Sequence, residues 1–132
     1  MFKIYNIMDF GICYVPVSIG ELFDKYTILQ IKQKRITNNA KLDMVNKELV
    51  YLKKFVDNYT IENELLNELM QINEQLWVIE DNIRIKEHKN EFDDEFISLA
   101  RQVYITNDKR SETKNKINSI LNSELIDIKS YA

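Results

Sequence analysis

Apolar residues recur at spacings of three and four through most of this chain. Ile19, Leu22, Phe23, Tyr26 and Leu29 share one helical face and predict a helix α1 over 19–36. Ser18 opens it with S-I-G-E, a capping box in which the Ser18 hydroxyl meets the Glu21 backbone and the Glu21 carboxylate returns to Ser18. Thr37-Asn38-Asn39 ends it, and Asn39 serves as the cap of α2, predicted over 40–58 on the seam Leu42, Val45, Leu49, Leu52 and Val56. Thr60 caps α3, predicted over 61–88, where Leu65, Leu69, Ile72, Leu76, Ile79 and Ile83 alternate spacings of four and three as in coiled-coil packing. A fourth helix, α4, is predicted over 92–122, with Asp93, Asp94 and Glu95 at its positive end and Phe96, Leu99, Val103, Ile117 and Leu121 along its stripe.

The first 17 residues alternate instead, are rich in β-branched and aromatic types, and read as an extended cap of one or two short strands. The last ten, 123–132, read as a tail that leaves the bundle. The expectation is one helical domain over 1–132. It is all-α: an antiparallel four-helix bundle or two packed helical hairpins, with a short extended N-terminal segment. Joints this short make sequential helices antiparallel neighbours.

The stripe of α4 is interrupted. Between Val103 and Ile117 its positions hold Asn107, Arg110 and Lys114. Residues equidistant from a joint lie level in an antiparallel pair, and stepping through the three joints puts Glu21 and Asp24 of α1 at the height of Arg110, Lys114 and Asn118 of α4. The polar gap therefore faces acids. Glu21, Asp24, Lys25, Asn107, Asp108, Arg110, Lys114 and Asn118 form the candidate ligand site. As a pocket, Arg110 would grip a phosphate or carboxylate bidentately with Lys114 adding a point charge, and Glu21 and Asp24 would hold Mg²⁺. As a structural device, the same charges would form an inter-helix ion-pair network that sets register. A second polar cluster, Glu80, Asp81, Arg84 and Glu87 in α3, has the spacing of surface i,i+4 pairs.

The two long helices, about 28 residues and about 42 Å, outreach α1 and α2 at about 27 Å. Their tip carries Trp77, Ile83, Ile85, Phe92 and Phe96, and an apolar tip without cover predicts a homodimer through those residues.

Composition removes several classes. Of 132 residues, 45% are hydrophobic, which argues against disorder, and only two are glycine and one proline, which disfavours hairpin turns. The net charge of −3 and the lack of a basic face with interleaved aromatics argue against nucleic acid. Cys13 is alone, so no intrachain disulfide forms, and His88 is the only histidine, so a zinc site or histidine triad has no support. The apolar start carries Lys3, Asn6 and Asp9 and does not read as a signal peptide, and no run spans a bilayer. A cytoplasmic protein without membrane contact is the expectation. Neither G-x-x-x-x-G-K nor G-x-G-x-x-G occurs.

VPVSIGELFDKYTILQIKQKRI, NEQLWVIEDNIRIKE, ARQVYITNDKRSETKNKINSIL and the closing SELIDIKSY together resemble a small bacterial family, the domain-of-unknown-function family numbered 6165. The resemblance runs from Val15 to Tyr131. It implies a setting in surface-polysaccharide or envelope processes and transfers no activity and no catalytic residue. Two functional expectations follow. One is a non-enzymatic helical binding or assembly module without a cofactor. The other is a Mg²⁺-dependent all-α enzyme or sensor for a phosphorylated or nucleotide-linked small molecule, acting by polarising a phosphate.

Overall fold

Ser18 begins the first helix as the sequence predicts, but the capping box is half made. In the computed structural model, which describes residues 11–131, the Ser18 hydroxyl accepts from the Glu21 N–H at 3.1 Å while the Glu21 carboxylate turns to Lys114. Helix α1 spans Ile19–Arg35, α2 Asn39–Val56, α3 Asn63–His88 and α4 Asp94–Ile120. The described residues contain no strand, and residues 12–18 run in without regular structure. The predicted strands in residues 1–10 lie outside the described residues.

Two caps differ from expectation. Asn38, not Asn39, caps α2 by accepting from the Lys41 N–H at 3.0 Å, and α3 starts two residues later than Thr60 would have it, without a side-chain cap. Asp93 caps α4, accepting from the Phe96 N–H at 3.0 Å. Both long helices end on an asparagine in the left-handed region, Asn90 (φ 55°) and Asn122 (φ 54°). After each, an N–H reaches back five residues, from Glu91 to Lys86 O at 3.0 Å and from Ser123 to Asn118 O at 2.8 Å. These are Schellman closures built on asparagine, which explains how a chain with two glycines ends its helices.

The architecture is two helical hairpins, α1–α2 and α3–α4, joined through α1. Helix α1 packs against the other three, α3 against α4, and α2 against α1 alone. Phe23, Leu65, Leu69 and Ile117 make the central core, with Ile19, Val56, Ile61, Leu66 and Leu121 against it. Full burial of each such side chain contributes about 1.5–3 kcal/mol. At the start of α1 the backbones come close: a Cβ on Gly20 would lie 2.3 Å from the Lys114 carbonyl oxygen. Only a glycine lets α1 seat there.

Helix α1 stops at Arg35, whose guanidinium lies 5.8 Å from the Trp77 ring centroid and pairs with Glu74 at 3.3 Å. Beyond it the α3–α4 hairpin continues for about 16 Å with no further helix against it. That explains the second polar cluster. Glu80, Arg84 and Glu87 continue the face that α1 covers lower down, and where α1 ends that face meets water. At the tip, Trp77, Ile83 and Phe96 are half-buried, and Ile85 and Phe92 are exposed.

The tip turn is held by Lys86, which reaches Asp93 at 2.9 Å, Glu91 at 3.0 Å and Glu95 at 3.1 Å. The Lys86 hydrogen bond, and then the Phe96 N–H, hold the Asp93 carboxyl below its usual range, and Asp93 in turn raises Lys86. A depressed carboxylate contributes stability above its unfolded pKa and loses it as pH falls through the folded value. Hydrogen exchange of amides 87–93, measured between pH 6 and pH 3, should show the turn loosening at the acid end. Lys86→Met should remove most of that difference.

The last residues do not leave the bundle. The Asn122 turn sends the chain back, and residues 123–131 run beside α4 towards its middle.

Candidate functional site

The polar gap of α4 is filled by a junction of three helices. Asp24 of α1 is 1% exposed. Arg110 of α4 grips it with both edges of a fork, Nε to Oδ1 at 2.8 Å and Nη2 to Oδ2 at 2.5 Å. Asn73 of α3 donates its Nδ2 to Asp24 Oδ1 at 3.0 Å and to Thr27 Oγ1 at 3.0 Å, and the Thr27 hydroxyl donates to the Asp24 carbonyl at 2.8 Å. The hydrogen bond to Asp24 raises the Arg110 pKa, so the pair stays charged on the arginine side at any working pH. Among the described residues, no buried side-chain nitrogen or oxygen lacks a partner.

One turn along, Lys114 reaches Glu21 at 2.6 Å and stands 3.8 Å from Asp127. Asn118, also 1% exposed, accepts from the Gly20 N–H at 2.6 Å and donates to Asn115 Oδ1 at 3.1 Å. Asn115 treats the returning segment as a strand would: it donates to the Asp127 carbonyl at 2.8 Å and accepts from the Asp127 N–H at 2.9 Å. The Ser111 hydroxyl donates to the Asp127 carboxylate. Lys129 closes the far end on Asp108 at 3.1 Å and the Asn107 carbonyl at 3.3 Å. Ser123 accepts from the Ile19 N–H at 3.0 Å and so ties the segment to the start of α1.

Between α4, the first turn of α1 and this segment lies an open cleft of about 530 Å³. Arg110, Lys114 and Lys129 line it with Glu21, Asp108 and Asp127, and Val103, Tyr104 and Tyr131 supply apolar surface.

The structure brings Glu21, Asp24, Asn107, Arg110, Lys114 and Asn118 together. Lys25 does not join them. It is one residue and therefore about 100° from Asp24 on the helix, and it pairs with Glu48 of α2 at 2.9 Å. Asp108 lies on the cleft's outer edge with Lys129. The second cluster stays apart and exposed: Arg84 pairs with Glu80 at 2.5 Å, and Asp81 and Glu87 have no ion pair among the described residues. Sequence reasoning missed Thr27 and Asn73, whose signal is a polar residue beside an otherwise apolar seam. It also missed Ser111, Asn115, Asp127 and Lys129, whose signal is weaker. Glu21 and Asp24 do not fit a Mg²⁺ pair, since both Asp24 oxygens accept from Arg110 or Asn73 and Glu21 accepts from Lys114. Among the described residues, no three His, Cys, Asp or Glu gather as a metal site.

Fold and cleft together define an all-α module of two helical hairpins with an internally paired polar junction. The chain belongs to a family of unknown function, DUF6165, whose model matches residues 13–132. No curated protein and no solved structure matches it. No helix among the described residues is long and apolar enough to cross a membrane.

Proposed function

We propose that this chain is a non-enzymatic helical binding and assembly module whose cleft takes a small, uncharged, hydroxyl-rich ligand. The observation that carries the reading is the pairing of charge. Arg110 is bound to Asp24, Lys114 to Glu21 and Lys129 to Asp108, so each cation at the cleft already has its anion. A phosphate would have to displace a carboxylate from each and stay near it. A hydroxyl can accept from an ammonium and donate to a carboxylate at once, and so inserts into an ion pair without breaking its charge balance. Tyr104 and Tyr131 line the cleft and supply aromatic surface for the apolar side of such a molecule. The surface-polysaccharide or envelope setting that the family resemblance implies suits that ligand class. The enzyme reading needs a free carboxylate pair for Mg²⁺, and Glu21 and Asp24 do not supply one.

Self-association belongs to the same reading, because the α3–α4 hairpin projects past α1 with Ile85 and Phe92 exposed.

Thermal shift against neutral mono- and oligosaccharides, nucleotides, sugar nucleotides and sugar phosphates, each with and without Mg²⁺, tests the ligand. A ligand at 100 times its Kd adds about 2.7 kcal/mol. A saccharide shift lost in Tyr104→Ala is expected. A Mg²⁺-dependent shift by nucleotides or sugar phosphates alone would overturn the reading in favour of the enzyme.

A further inference from the structure

Helix α3 carries a second stripe that its buried seam does not use. Gln71, Gln75, Val78, Asn82 and Ile85 repeat at four, three, four and three, and all five are exposed. None is charged, in a chain where 30% of residues are. The stripe centres about 160° round the helix from Asn73, so it faces away from α1. On α4, Ser98, Gln102 and Ile105 make a matching uncharged stripe, with Gln102 donating to Ser98 at 3.2 Å. A groove of about 420 Å³ runs between the stripes, lined by Gln75, Val78 and Gln102 with the buried Ile79 and Thr106, and Glu74, which pairs with Arg35, lines it too.

We infer that this face binds the same face of a second copy of the chain, about a two-fold axis parallel to the helices. The inference rests on the self-association reading and moves the contact from the tip to the side of the hairpin. Three observations support it. The first is composition: aliphatic side chains among amides, with charge confined to the edges, is the make-up of an interface core and its rim. Each amide is donor and acceptor, so it can pair with either kind of polar group that the second copy presents. The second is size. The stripes run about 21 Å along α3 and about 10 Å along α4, a centre for an interface whose flanks bring the buried area towards about 800 Å² a side.

The third is the charge at the edges. Asp81 lies on the flank of α3 away from α4, and Arg101 on the flank of α4 away from α3. Neither has an ion pair among the described residues. The hairpin's rungs, Lys86 with Asp93 near the tip and Glu68 with Thr113 near the base, put Asp81 and Arg101 at one height. A two-fold axis parallel to the helices lays α3 of each copy over α4 of the other and leaves heights unchanged. It sets Asp81 opposite Arg101 of the second copy, twice. An axis across the helices would set Asp81 against Asp81, which like charge opposes.

Light scattering on the full chain at about 100 μM, with four variants, decides it. The wild type is expected to be a dimer, Asp81→Arg and Ile105→Glu to be monomers, and Phe92→Glu to remain a dimer. Asp81→Arg combined with Arg101→Asp should restore the dimer, which misfolding would not do. A dimer that survives Asp81→Arg and Ile105→Glu overturns this face and leaves self-association standing. So does a dimer that is lost in Phe92→Glu alone. A monomeric wild type overturns both.

Discussion

Arg110→Met is expected to lower folding stability by about 3–5 kcal/mol, the usual loss when one partner of a buried ion pair is removed. The substitution leaves the Asp24 carboxylate, 1% exposed, with only the Asn73 amide against its side chain. The double variant Asp24→Leu with Arg110→Met removes both charges and should recover most of the loss, since apolar replacement of a whole buried pair is often neutral or better. Urea unfolding of the two variants and the wild type measures both numbers. A near-neutral Arg110→Met would mean the guanidinium is gathered for an anion and not for Asp24. That outcome would return the cleft to the phosphate reading.

Gly20→Ala is expected to cost about 2–3 kcal/mol, although local preference points the other way. Alanine is better than glycine inside a helix by about 1 kcal/mol. Here the added methyl meets a backbone carbonyl, Lys114 O, at 2.3 Å and the Asn118 side chain at 2.9 Å, so no rotamer change relieves it. The two helices must separate, which weakens the Gly20 N–H bond to Asn118 as well. Overpacking against well-packed neighbours typically costs about 1–3 kcal/mol and sometimes more. Gly11→Ala is the control, with nothing within 4 Å of its would-be Cβ, and should be close to neutral. Thermal unfolding of the pair checks the sign: a Gly20→Ala variant as stable as wild type would mean that α1 and α4 do not meet at Gly20.

Three of the helices were legible because their seams repeat without interruption for three or more turns, and α4 was legible from the apolar runs on either side of its polar gap. The meeting of Asp24 with Arg110 was legible for a related reason. Arg110 occupies a seam position of α4, and the joints set the heights well enough to bring Asp24 level with it, although α2 and α3 do not pack on each other. What failed did so where a neighbour in sequence is not a neighbour in space. Lys25 follows Asp24 but points to α2. The returning segment was invisible because its short alternation Ile126-Asp127-Ile128-Lys129 is laid down polar side inward, with both isoleucines exposed and Asp127 and Lys129 on α4. Its path is fixed by single side chains, Asn115 on the Asp127 backbone and Lys129 on Asp108, and such bonds have no sequence rhythm. Gly20 carries no signal of its own in the first turn, since its role depends on Asn118, 98 residues away.

The placement of α2 has a consequence for how the chain comes apart. Along most of its length it packs on α1 and on no other helix, with only Val56 at its end reaching the central core, while α1, α3 and α4 all touch one another and share the Asp24 junction. The three-helix body can therefore stay intact while the span from Thr37 to Lys54 detaches as one cooperative unit, anchored at its far end by Val56, Tyr59 and Ile61, which pack on the body. Such a unit opens at a lower free energy than the whole. Its amides would exchange first, and a protease would find its cut there before the body has unfolded at all.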